Sequence, residues 1–150
     1  MRILVDTNVL ARLAHKNHPH TAVVNAALRQ LWTDGHELRV VPQVLYEFWS
    51  VATRPIEHNG LGFSTATVDA DIERFSRIFS VLRDERGILE PWRIIATKYN
   101  VQGKQGHDAR LVAAMHRHAL THLLTFNVTD FQRYAGIALL DPRSVLSGRA

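Results

Sequence analysis

Four carboxylates in this chain stand beside short apolar runs. Asp6 ends "MRILVD", Glu47 lies in "PQVLYEFWSVATR", Asp108 opens "HDARLVAAM" and Asp130 sits in "TFNVTDF". Thr7 and Asn8 directly follow the first, and Thr125 and Asn127 precede the last. A carboxylate next to a buried segment must be paired, used as a cap or put to chemical use. Each has an ordinary structural explanation. Asp6 suits the cap of a helix beginning near Val9, Asp108 suits a helix start, and Asn127 with Asp130 has the form of a cap followed three residues on by an acid. Glu47 fits such a role less well. At 100° per residue its helix buries Val44, Leu45, Phe48, Val51 and Ala52, and Glu47 falls at the edge of that stripe.

If the four converge, the chemistry is constrained. Two carboxylates about 4 Å apart repel by roughly 4 kcal/mol at an effective dielectric near 20. A divalent cation removes that penalty, and hard oxygen donors without cysteine suit Mg²⁺ or Mn²⁺. Such an ion in a basic protein points to phosphodiester substrates. The chain is basic: its formal net charge is +4, its pI about 10, and only three of its 18 basic residues are lysines. Arginine offers a planar fork matched to phosphate oxygens.

The elements that must position these groups follow from periodicity. Short strands are expected at 3–5, 38–41, 123–126 and 137–140. Helices are expected at 20–33, from Pro42 to Arg54, from a Ser64 cap through Leu82, at 90–100, at 108–119 and at 128–134. Strands alternating with helices imply an α/β protein with a mostly parallel sheet covered on both faces. Ligands of such sheets bind beyond the carboxyl ends of the strands, which is where Asp6, Thr125 and the Glu47 helix fall. A length of 150 residues, with 46% hydrophobic, suits one domain over 1–150 with a real core. There is no cysteine and no apolar run of membrane-spanning length, and "MRILVD" is too short for a secretory leader, so a reducing cytoplasm is expected.

In this order, "ILVDTNVL", "PQVLYEFWSVATRP", "HDARLVAAM" and "TFNVTDF" resemble the motifs of a PIN-domain ribonuclease of the VapC toxin type, over residues 1 to about 142. The resemblance implies a three-layer α/β/α sandwich and Mg²⁺- or Mn²⁺-dependent endonuclease action on RNA. It also implies a homodimer and an antitoxin that inserts a segment into an acidic groove. Asp6, Glu47 and Asp108 match the three core acids, and Asp130 the fourth. Asp6 and Asp108 are the expected metal ligands. Thr7, Asn8 and Thr125 match polar residues that orient ligands and metal-bound water. Asn127 stands where some relatives carry an acid, so fewer charges face a second ion.

Two other classes remain open on the residues alone. A small-molecule phosphatase with an Asp nucleophile often carries a second Asp two positions on, where this chain has Asn8. A non-catalytic RNA- or protein-binding module would have less use for all four acids. Other signals are discounted. His15, His18 and His20 read as a surface loop broken by Pro19, His116 and His118 face different ways on a helix, "GKQG" lacks the residues of a phosphate-binding loop, and "GLG" follows a helix rather than a strand.

Overall fold

The computed structural model describes residues 1–147, so the last three residues of the expected 1–150 domain lie outside the described ones. Four strands, β1 (Arg2–Val5), β2 (Glu37–Arg39), β3 (His122–Leu124) and β4 (Ala138–Leu140), form one sheet in the order β2-β1-β3-β4. All three pairings are parallel. Seven α-helices are described: α1 (Thr7–Ala14), α2 (Thr21–Thr33), α3 (Pro42–Thr53), α4 (Thr65–Phe79), α5 (Leu89–Lys98), α6 (Gln105–Arg117) and α7 (Val128–Phe131). Together they make the three-layer α/β/α sandwich expected from the alternation. Among the described residues no helix is long and apolar enough to cross a membrane.

The sheet is short because its apolar runs are short. Ile3, Leu4 and Val5 of β1 and Leu123 and Leu124 of β3 are fully buried, as a parallel sheet covered on both faces requires. The chain leaves β1 for β2 on one side and β3 for β4 on the other. The carboxyl ends of β1 and β3 therefore border the crevice that opens where the chain reverses its direction of winding.

Several boundaries differ from the sequence reading. Helix α1 begins at Thr7 rather than near Val9, because Asp6 in extended conformation (φ −80°, ψ 161°) caps it directly. The third strand stops at Leu124, although the Thr125 N–H still donates to the Leu140 carbonyl. Helix α6 starts at Gln105, so Asp108 stands in its first turn rather than at its cap. Ser64 caps α4 as expected, accepting from the Thr67 N–H. The helix ends at Phe79, however, and Val81 forms an isolated parallel bridge with Val40. That bridge takes Leu82 off the helical face, and its N–H donates to the Val40 carbonyl.

The core on α3 and α4 is aromatic. Phe48 meets the edge of Phe75 at 5.2 Å between ring centroids, and Phe79 lies 6.3 Å from Phe75. All three are fully buried. This packing fixes α3, and therefore the direction in which Glu47, the residue before Phe48, points.

Candidate active site

Asp6 leaves β1 and is almost wholly buried, at 5% exposure. Its carboxylate is held from both sides. One oxygen, Oδ1, accepts from the Thr7 N–H at 2.7 Å. The other, Oδ2, accepts from the Thr125 hydroxyl at 2.8 Å and from the Asn8 amide at 3.3 Å. The Asn8 amide also donates to Thr125 Oγ1, and its carbonyl receives the Phe126 N–H. The Asn127 N–H closes the cluster on Thr125 Oγ1. Thus β1 and β3 are tied together at their ends by polar side chains. Asn8, where a phosphatase of the Asp-nucleophile type often has its second acid, spends its amide in this network.

Glu47 is half-buried at the edge of the α3 stripe, as its position predicts. The Thr7 hydroxyl donates to its Oε2 at 3.0 Å, and the Gln43 amide to its Oε1 at 2.8 Å. Asp108 projects from the first turn of α6, and Asp130 stands exposed in α7. Asn127 precedes α7 without making a side-chain cap bond, so the expected cap does not form there.

The acids feel one another. Burial pushes the Asp6 carboxyl up to about 6, against the opposing hydrogen bonds from Thr125 and Thr7, and the charges of Glu47 and Asp108 add to the rise. Burial also pushes Asp108 up to about 6, helped by Asp130 and Glu47 and opposed by Arg133 and His107. All four predicted acids therefore belong to one electrostatic neighbourhood. Among the described residues, no group of three or more acidic or imidazole side chains is gathered tightly enough to hold a metal ion unaided. The donor set still suits a small hard cation. Mg²⁺ is commonly held by one or two carboxylates and keeps several waters for the rest of its shell. Carboxylates raised by burial, with the charges of neighbouring acids adding to the rise, are the ones such an ion relieves.

Three residues that the sequence reading missed support this arrangement. Gln43 is buried at 6% exposure. Besides holding Glu47, its amide donates to the His107 carbonyl at 2.8 Å, joining α3 to α6. Arg110 donates to Gln43 Oε1 at 2.9 Å and to Asp84 at 3.0 Å. Arg133 donates to Gln105 at 2.6 Å and keeps a positive charge near Asp108. Only Gln43 had a signal in the sequence, as a polar residue one turn before Glu47 on the same face.

His15, His18 and His20 lie in a surface loop between α1 and α2, as expected, and their half-buried rings form a ladder within it. His15 and His18 lie 5.5 Å apart, His18 and His20 5.2 Å, and His20 stacks on Phe126 at 5.0 Å. The turn through Pro19 brings together side chains that no helical spacing would.

A sequence model of the PIN domain matches residues 3–137 of this chain. Solved structures agree on the fold. VapBC2 from Rickettsia felis, bound to a DNA fragment from its promoter, superposes with a TM-score of 0.72 at 13% identity, covering 93% of this chain and 98% of that one. VapBC-1 from nontypeable Haemophilus influenzae gives 0.70 at 21% identity, covering 95% and 98%. VapC20 of Mycobacterium tuberculosis, described as a Sarcin-Ricin loop cleaving toxin, gives 0.59 at 15% identity, covering 87% and 95%. No protein of curated function matches the sequence.

Proposed function

The chain belongs to the PIN-domain family, and on that premise we propose that it is a divalent-metal-dependent endoribonuclease acting as the toxin of a toxin–antitoxin pair. The observation that carries this reading is geometric: Thr7 donates its N–H to Asp6 and its hydroxyl to Glu47, and Gln43 ties Glu47 to the first turn of α6, where Asp108 stands. These acids come from elements far apart in sequence, and besides burial the charges of Glu47 and Asp108 raise the proton affinity of Asp6, while those of Asp130 and Glu47 raise that of Asp108.

In this reading Asp6 and Asp108 hold Mg²⁺ or Mn²⁺, directly or through its waters. When bound, the ion supplies a more acidic water and neutralises charge at the departing oxygen. The remaining roles fall to the chain itself. Glu47, fixed by donors from Thr7 and Gln43 on opposite oxygens, orients the attacking water as an acceptor. Asp130, exposed at the rim, completes the acidic ring. Thr125 and Asn8 keep the Asp6 carboxylate in one rotamer, the support that a metal-ligating carboxylate needs. Asn127, in place of an acid, leaves less negative charge for a second ion. In-line attack of water on phosphorus leaves a 5′ phosphate and a 3′ hydroxyl.

Relatives of the same fold were solved as VapBC complexes, which supports a cognate antitoxin as the protein partner here. A homodimer and a cytoplasmic location complete the proposal. The test is expression in a heterologous host, followed by mapping of new RNA 5′ ends. Growth arrest with cuts bearing 5′ phosphates, absent in Asp108→Asn, supports it. Unchanged RNA, with no cleavage of any RNA by purified protein in Mg²⁺ or Mn²⁺, refutes it.

A further inference from the structure

Beside the acidic crevice lies a second feature that the proposed chemistry does not use. The start of α6, the start of α5 and the 3-10 turn Arg86–Ile88 enclose an open-mouthed cavity of about 550 Å³. Ile88, Leu89 and the Trp92 ring form apolar walls, while Arg86, His107 and Arg110 bring cationic or polar groups to it. The Trp92 N–H is already spent on the Gly106 carbonyl at 2.8 Å, so the indole offers its ring rather than a donor. Glu85, the one acid on the lining, is engaged by Arg117.

Gly106 is the telling residue. It is the second residue of α6, where its φ is not positive, and a Cβ built on it meets nothing within 4 Å. Neither backbone geometry nor crowding requires glycine there, and glycine is the poorest helix former after proline. A side chain at this position would add bulk to the lining of the cavity. The cavity is also joined to the crevice. Arg110 on its wall donates to Gln43, and Gln43 donates to Glu47. His107 on its lining is the neighbour of Asp108.

We propose that this cavity receives one unstacked nucleobase of the RNA, next to the phosphodiester that is cut. An aromatic wall with apolar neighbours suits the flat face of a base, and the exposed Arg86 suits a phosphate beside it. The volume holds a base with room for part of its ribose. The proposal rests on the nuclease reading for its substrate class and deepens it by naming a specificity subsite.

The test is a titration of ¹⁵N-labelled protein with each of the four ribonucleoside 5′-monophosphates and with ribose 5-phosphate, following the Trp92 indole resonance. Saturable shifts with at least one nucleotide and none with ribose 5-phosphate are expected. Gly106→Leu, which adds a bulky side chain at a lining residue, should weaken that binding about 10-fold or more. Leu89→Asp, at a side chain already 60% exposed, should do the same without disturbing the core. Equal shifts from ribose 5-phosphate, no shift with any nucleotide, or unchanged binding in both folded variants would overturn the subsite. So would shifts produced by an antitoxin and by no nucleotide. Nucleotide binding at Trp92 in a protein that cuts no RNA would remove the nuclease reading and leave the base pocket standing.

Discussion

Glu47 and Phe48 are neighbours on α3, yet they serve opposite ends of the energy balance. Phe48 packs edge-on against Phe75, fully buried, in a cluster that does nothing but hold helices together. Glu47 faces a crevice where carboxylates crowd one another, two of them with raised proton affinity. One side of the helix is stabilised by removing apolar surface from water. The other side gives up stability to keep negative charge where, in the proposed function, a cation and a phosphodiester would use it. Fixing Phe48 aims Glu47, so the apolar region supplies the precision that the charged region needs.

The contrast can be broken from either side. The largest effect is expected at the crevice. Asp6→Asn or Asp108→Asn should lower RNA cleavage by about 10³-fold or more, with a melting temperature no lower than that of the parent. A large drop in stability together with retained activity would reverse the roles assigned to the two regions. At the aromatic cluster, Phe48→Ala should cost about 3–5 kcal/mol in denaturant unfolding, and by loosening the aim of Glu47 it should lower the cleavage rate of the protein that remains folded by less than the Asp6 and Asp108 variants do.

Gln43→Ala acts on the support of the crevice. It removes a donor from Glu47 and leaves Arg110 without one of its acceptors. A buried hydrogen-bonding group lost in this way costs about 1–3 kcal/mol. The expected result is a fall in kcat of about 10-fold or more with little change in KM, restored in part by Gln43→Asn only if the shorter amide still reaches Glu47.

Proton linkage gives a subtler difference. An acid whose proton affinity is raised by folding contributes stability that is full below its unfolded value and is lost as pH rises through its folded value. For Asp6 that window runs from 3.8 to about 6. The span of about two units corresponds to roughly 3 kcal/mol. In EDTA, wild type should therefore lose stability relative to Asp6→Asn between pH 4 and pH 7. Mg²⁺ should restore it at pH 7.5 and not at pH 4.5. Parallel pH profiles for the two proteins would remove the linkage. The smallest effect belongs to the surface. Arg77→Ala breaks an exposed pair with Glu73 and should change stability by about 0.5 kcal/mol or less.

Much of this was legible before any coordinates. An apolar run closing on Asp-Thr-Asn marks a strand end with polar work to do, and the structure turns all three residues into one hydrogen-bonded cluster with Thr125. Glu47 showed itself because a helix period places it at the edge of a buried stripe. The long-range partner of Gln43 was harder to read. Arg110 and Gln43 are 67 residues apart, and only the packing of α6 beside α3 makes them neighbours. The Val40–Val81 bridge and the histidine ladder were equally hidden. The first depends on a chain reversal at Ser80, with φ 54°, and the second on a Pro19 turn, and neither leaves a periodic trace.

The most direct measurement is anomalous diffraction from crystals soaked in Mn²⁺. A peak bound by the carboxylates of Asp6 and Asp108, or bridged to them by single waters, and lost in Asp108→Asn, is the predicted result. Saturating Mn²⁺ with no peak at that crevice, in crystals of protein that still cuts RNA, would contradict it.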